Sequence, residues 1–256
     1  MPADLADATD VRDLLTATRC VLFDFDGPIC RLFPRGASAS VADELRAVVA
    51  KFGAEDLLTA REQRAIDPHV VLRAVHRARS AGDVAELLDL MEERLTAGEV
   101  DAARRAWPTP YADVLIERLA ERQVRMAVVT NNAPEAAWCH LGLRGLRGRF
   151  AAVHGRTDPG LMKPDPDVVL RALDGLGLAP DDTVMIGDTE ADVRAAERAG
   201  VRFIGYGRNA RKVKGLRDAG ASVVITSYLP LVTRPWGAAE GRAGRAAAGG
   251  AGVAGP

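Results

Sequence analysis

The chain has 256 residues, 48% of them hydrophobic and only 5% aromatic, with a net charge of -1 from 34 basic and 35 acidic residues. That length and aliphatic content suit one large domain, or a core with a smaller insert. The charge balance excludes a global field that would recruit nucleic acid or an anionic membrane, and no run approaches the ~20 apolar residues of a membrane span.

The first nineteen residues carry Asp4, Asp7, Asp10 and Asp13 without a long apolar run, so they read as a polar helix and not as a signal peptide. Cys20, Cys30 and Cys139 are odd in number and lack metal-ligand spacing. They read as free thiols of a cytoplasmic protein. Nothing in the sequence fixes an oligomeric state.

Cys20–Phe23 is the first β-branched or apolar run, followed by Met126–Thr130, Thr183–Gly187, Val201–Tyr206 and, as a possible fifth, Ala221–Thr226. Helix-period stretches separate the later ones: Asp113–Glu121, Pro134–Leu141, Asp167–Gly175, Glu190–Ala199 and Ala210–Ala219. This alternation predicts an α/β fold, a Rossmann-like doubly wound parallel sheet with an inserted helical cap subdomain. The insert interrupts the alternation between the first two strands. Ser40–Phe52, Asp67–Ala81 and Asp83–Ala106 read as helices, with Leu87, Leu88, Met91 and Leu95 as an apolar stripe and Gly82-Asp83 as a break. The expected division is a core of residues 1–33 and 109–236 and a helical cap of 34–108. The Ala/Gly-rich segment 237–256 has no periodic apolar face and reads as a disordered tail.

Ligands of such sheets sit outside the carboxyl ends of the strands, where Asp24, Thr130 and Asp188 each fall. Asp24 and Asp26 share a face if the chain continues extended past Phe23, and two carboxylates there call for a cation, a shared proton or a nucleophile's role. A solvated Asp-Gly turn is the plainer alternative. Thr130-Asn131-Asn132 offers a hydroxyl and turning backbone to an anion, or else caps the helix opened by Ala133-Pro134-Glu135. Lys163 precedes Pro164 and Pro166, which restrict the backbone; beside carboxylates it reads as a compensating cation. Asp188 and Asp192 suit Mg²⁺ as hard oxygen ligands, with ordinary capping by Asp188 or Thr189 as the alternative.

In this order, Phe23-Asp24-Phe25-Asp26-Gly27, Val129-Thr130-Asn131, Lys163-Pro164 and Gly187-Asp188 with Asp192 resemble the haloacid-dehalogenase-like (HAD) hydrolase superfamily, in particular its helical-cap branch that includes phosphoglycolate phosphatases. The resemblance spans about Arg19 to Thr226. It implies Asp24 as nucleophile, Asp26 as general acid/base, and Lys163 as the cation steadying nucleophile and phosphate. Thr130, with Asn131 and Gly27, would bind the phosphoryl group. Asp24, the Asp26 main-chain carbonyl and Asp188 would hold Mg²⁺, with Asp192 supporting through metal-bound water or by orienting Lys163. A carboxylate at Asp26 favours phosphoryl chemistry over dehalogenation, since a halide leaves without a proton. Pro28 stands where the family commonly has threonine, removing a hydroxyl and an N–H, and Arg31 stands where many capped members have an acid.

The reading is a Mg²⁺-dependent phosphatase acting on a small phosphorylated metabolite through an aspartyl-phosphate. A phosphotransferase on the same core, or a HAD-fold binding or regulatory protein, are the alternatives. A two-component receiver also offers an acidic site with Thr and Lys, but lacks the second aspartate and the helical insert. Arg31, Arg35, His69, His76 and Arg79 lie in or near the insert, where each reads first as a solvated surface residue and second as a reader of the leaving group.

Overall fold

The computed structural model describes residues 8–80, 84–233 and 236; the expected break at Gly82-Asp83 and the tail 237–256 lie outside the described residues. After helix α1 (Ala8–Ala17) come strand β1 (Cys20–Phe23) and the two-residue strand β2 (Cys30–Arg31). Helices α2 (Ser38–Lys51), α3 (Pro68–Arg77) and α4 (Ala85–Arg105) then form a helical layer. The chain returns through β3 (Trp107–Pro108), which pairs antiparallel with β2, so one short ribbon carries both crossings.

Next follow α5 (Ala112–Glu121), β4 (Arg125–Val129), α6 (Pro134–Leu143), β5 (Ala152–His154) and α7 (Asp167–Leu176). The remaining elements are β6 (Thr183–Gly187), α8 (Glu190–Arg198), β7 (Arg202–Tyr206), α9 (Ala210–Asp218), β8 (Val223–Ile225) and α10 (Leu229–Thr233). Six strands make one parallel sheet in the order β5-β4-β1-β6-β7-β8. All five expected strands are present within about three residues of their expected bounds. Neither the edge strand β5 nor the β2/β3 ribbon was anticipated, because Ala-Val-His and two-residue strands carry no periodic signal.

Side-chain alternation distributes β1 between two cores. Val21 and Phe23 join Met126, Val128, Val184 and Ile186 beneath α5 and α6, while Cys20 and Leu22 join Ala127, Val129 and Met185 beneath α7 and α8. Both faces of the central strands are therefore dry, which requires the uninterrupted apolar runs seen in the sequence. A third cluster, including Leu45, Leu72, Leu87, Met91 and Leu95, holds α2, α3 and α4 together. The 21-residue α4 belongs to two clusters: its first half lies in that helical layer, while Ala102 and Ala103 pack in the sheet core.

Register places the site. Phe23 pairs with Val128 on one side and Ile186 on the other, so the residues after these three central strands emerge on one edge.

Candidate active site

Asp24 follows the last residue of β1 and is 7% exposed; its N–H donates to the Ile186 carbonyl at 2.8 Å. Asp188, just past β6, and Asp192, in the first turn of α8, are buried beside it. Carboxylate oxygens of the three lie within 4.8 Å of one another. Lys163 reaches into this group from the loop before α7. Its Nζ lies 2.8 Å from Asp24 Oδ1, 2.6 Å from Asp192 Oδ1 and 3.0 Å from the Val129 carbonyl.

Titration behaviour follows from this crowding. Burial, then the Asp192 charge, pushes the Asp24 carboxyl up, with Lys163 offsetting part of the rise. Burial also carries Asp188 up to about 6, although Lys212 draws it down. Burial would raise Asp192 too, but Lys163 holds it below the usual carboxylate range. Burial would lower Lys163, but Asp192 and Asp24 hold its ammonium above the ordinary lysine value.

Asp192 has a second duty. Its Oδ2 accepts from the Thr189 N–H and hydroxyl, and Thr189 accepts from the Asp192 N–H, a reciprocal capping box at the start of α8. Capping and the ion pair with Lys163 thus coincide in one residue.

Asp26 stands apart from the three clustered carboxylates. β1 ends at Phe23, and Asp26 makes an isolated bridge with Cys30 while its Oδ1 accepts the Leu32 N–H at 2.9 Å. The extended continuation expected from the sequence therefore stops at the strand end. Burial raises the Asp26 carboxyl above the ordinary value, and the Leu32 N–H opposes that.

Gly27 has φ +128°, and a Cβ there would collide with the Asp188 carboxylate. Its N–H donates to Cys30 O, and its carbonyl accepts the Thr109 hydroxyl at 2.6 Å. Gly27 thus makes room for Asp188, with both main-chain groups engaged inside the protein. At Pro28 the turn is closed by other bonds: the Ile29 and Cys30 amides donate to Phe25 O, and the Thr109 N–H donates to Ile29 O.

Thr130 is 1% exposed at the end of β4. Its hydroxyl donates to Asn132 Oδ1 at 3.0 Å and accepts the Asn132 N–H at 3.1 Å. The Asn131 side chain braces Lys163: Nδ2 donates to the Lys163 carbonyl and Oδ1 accepts the Lys163 N–H. Both amide atoms of this side chain are thus taken up by the backbone of the lysine candidate, which leaves the main chain of Asn131 for the expected anion contact.

Several neighbours had no counterpart in the sequence reading. Lys212 Nζ on α9 pairs with Asp188 Oδ2 at 2.8 Å. Arg73 on α3 donates to the Lys163 carbonyl at 2.6 Å. Glu99 on α4 is buried against Asn132, Ala133, His69 and Arg156. Lys212 and Arg73 carry no local sequence signal. Glu99 does: four residues after Leu95, it places a carboxylate on the stripe that reads as apolar.

Of the insert residues named from sequence, Arg31 is exposed over the Trp107 ring and Arg79 is exposed near Asp158. His69 departs from the surface reading, because the buried Glu99 pairs with it, and His76 is half-buried and paired with the more exposed Asp158. The Arg35 side chain lies outside the described residues.

A family model described as haloacid dehalogenase-like hydrolase matches residues 18–200. A phosphoglycolate phosphatase of Aquifex aeolicus is 26% identical over 194 residues, covering 72% of this chain and 82% of that protein. One of Rhodospirillum rubrum is 30% identical over 227 residues, covering 83% and 89%. A solved structure described as a predicted phosphatase from Clostridium acetobutylicum superposes with a TM-score of 0.61 at 21% identity, covering 84% of this chain and 96% of that one. That structural likeness carries the fold.

Proposed function

The chain belongs to the haloacid dehalogenase-like hydrolases, and from that premise we propose that it is a Mg²⁺-dependent phosphatase of a small phosphorylated metabolite, acting through a phosphoryl group carried on Asp24. The observation that carries this reading is one crevice at the strand ends. It holds the buried Asp24, an ammonium at 2.8 Å from it, and the buried carboxylates of Asp188 and Asp192.

The donor set fits a hard divalent cation. Three carboxylates converge, and Asp188 Oδ1 is buried without a hydrogen-bond partner. Asp24, Asp188 and the Asp26 main-chain carbonyl would hold Mg²⁺, which when bound supplies charge neutralisation to the phosphoryl oxygens.

The protein's own groups do the rest. Asp24 attacks phosphorus and the bond to the leaving oxygen breaks, so one hard displacement becomes two easier ones. Asp26, its carboxyl raised by burial, gives a proton to the leaving oxygen and takes one from the water that later attacks. Lys163 holds charge at the nucleophile, and Asp192 holds Lys163. Thr130 receives the phosphoryl group by turning its hydroxyl away from Asn132. Residues 34–108 act as a cap on a core of 1–33 and 109–236, closing the crevice over substrate and excluding water.

The test is hydrolysis of an aryl phosphate by the purified protein, with phosphoglycolate the first natural ester to try because of the relatives named above. Turnover should require Mg²⁺ and stop in excess chelator, and Asp188→Ala should lose metal binding and turnover together. Undiminished hydrolysis in metal-free buffer would refute the metal assignment. An inert protein with bound Mg²⁺ would refute the phosphatase.

A further inference from the structure

Helix α3 lays a row of basic side chains along the connection that delivers Lys163. His69, Arg73 and His76 stand at i, i+4 and i+7 and share one face, with Arg77 and Arg79 following. All but one of these have a carboxylate partner. His69 has Glu99 at 3.0 Å, His76 has Asp158 at 3.0 Å, Arg77 has Glu62 at 2.9 Å and Arg79 has Asp158 at 3.8 Å. Arg73 forms no ion pair with any described residue. Its guanidinium gives a hydrogen bond from Nη2 to the Lys163 carbonyl at 2.6 Å.

Most of a guanidinium's donor fork is therefore unused at the edge of the crevice. The same Lys163 carbonyl accepts Asn131 Nδ2 at 3.1 Å, so Arg73 stands beside the residue that follows Thr130, while Lys163 Nζ is 2.8 Å from Asp24. The Asp26 carboxyl, raised by burial, is drawn back by the Leu32 N–H and by the charges of Lys212, Arg208 and His69. The start of α3 thus lies within electrostatic range of the group that protonates the leaving oxygen in the proposed reaction. Burial lowers the half-buried Arg73 guanidinium below the ordinary arginine value, and the Asp67 charge only partly offsets that. An arriving anion would supply the missing counter-charge.

We infer that Arg73 is a specificity residue that reads a carboxylate on the leaving group, so that the preferred substrates are phosphate esters of hydroxy acids. This rests on the phosphatase reading above. A guanidinium fork meets a carboxylate with two parallel hydrogen bonds. A single carboxylate suits the place better than a second phosphate, because one positive charge is available and Asp67 is close enough to be felt.

The experiment measures steady-state hydrolysis, by the Mg²⁺-loaded full chain, of two esters matched in length: phosphoglycolate, and hydroxyethyl phosphate with a hydroxymethyl group in place of the carboxylate. The wild type is compared with Arg73→Met and Arg73→Gln. The wild type should prefer phosphoglycolate in kcat/KM. Both variants should lose roughly 10- to 100-fold more on phosphoglycolate than on the neutral ester, the scale of hydrogen bonding to a charged group. That extra loss should fall mainly on KM, since the carboxylate is held alike in ground and transition states. Arg73→Gln keeps a donor for the Lys163 carbonyl, so it decides the matter even where Arg73→Met disturbs that connection. Equal losses on the two esters would make Arg73 a brace for Lys163 alone and overturn the inference, as would a wild type without the preference. A wild type that binds Mg²⁺ yet hydrolyses neither these esters nor an aryl phosphate would overturn the underlying reading instead.

Discussion

Two buried charge clusters flank the Thr130 turn, and they are balanced in opposite ways. In front, three carboxylates meet with Lys163 among them and Lys212 at the side; burial and mutual repulsion drive Asp24 and Asp188 above their ordinary pKa values. Behind, Glu99 lies between Arg156 and His69 and is brought down to about 2: burial would raise it, but the Arg156 charge and then the His69 bond prevail. The rear cluster is satisfied as it stands. The front cluster is under-compensated, as a site must be if further positive charge and a phosphoryl group are to be favoured there. Similar residue types thus form a compensated and an under-compensated cluster, and the proposed chemistry falls on the second.

The largest expected effect lies in front. Asp24→Asn should lower turnover by on the order of 10⁴-fold or more, since an amide is a poor nucleophile toward phosphorus. Melting temperature should hold or rise, because the substitution relieves repulsion with Asp192 and Asp188. Substantial residual turnover in steady-state assays would dissolve the distinction drawn between the clusters.

The second effect lies behind. Arg156→Met leaves Glu99 buried with one cation fewer, and denaturant unfolding should register a loss of about 3 kcal/mol. Adding Glu99→Leu should recover much of that stability. If the single substitution costs under ~1 kcal/mol, the cluster is not the balanced unit described.

The third and smallest effect is a pH dependence. Burial alone would lower His69, but the hydrogen bonds and charges of Asp67 and Glu99 raise it to about 9. A raised folded-state pKa gives stability that is full below the unfolded value near 6.5 and is lost as pH rises through 9. Glu99 behaves in the opposite sense, its contribution being present above about 4.5 and lost as pH falls toward 2. Melting temperature should therefore decline between pH 6.5 and 9 in the wild type and decline less in His69→Gln. Parallel curves would remove His69 from the cluster's balance.

The two clusters also differed in how far the sequence revealed them. Most of the front one was legible because Asp24 and Asp188, with Thr130 beside them, sit at strand exits after their own local signals, Asp24 after Cys20–Phe23, Thr130 after the β4 run and Asp188 after Val184-Met185-Ile186-Gly187, whereas Lys212 on α9 has none. Parallel pairing in register then brought those exits together. The rear cluster joins residues 57 and 30 positions apart, Glu99 to Arg156 and Glu99 to His69, through packing of α3 and α4 against each other and against the β5–α7 connection. Asn131 shows the same limit at short range. Its place beside Thr130 was readable, but the direction of its amide depends on Lys163, 32 residues away. The ribbon of β2 and β3 was hidden for a different reason, since two residues cannot display a period of two.

The central claim is that Asp24 carries the phosphoryl group and Asp26 manages the proton, and Asp26→Asn tests it most directly. With an aryl phosphate the leaving oxygen needs little protonation, so attack by Asp24 proceeds, while hydrolysis of the acyl phosphate slows for want of a base. Mass spectrometry of the quenched variant should find one added phosphoryl group, removable by hydroxylamine and mapping to Asp24. A label on any other residue, or rapid turnover by Asp26→Asn with no labelled protein at any time, would contradict the account.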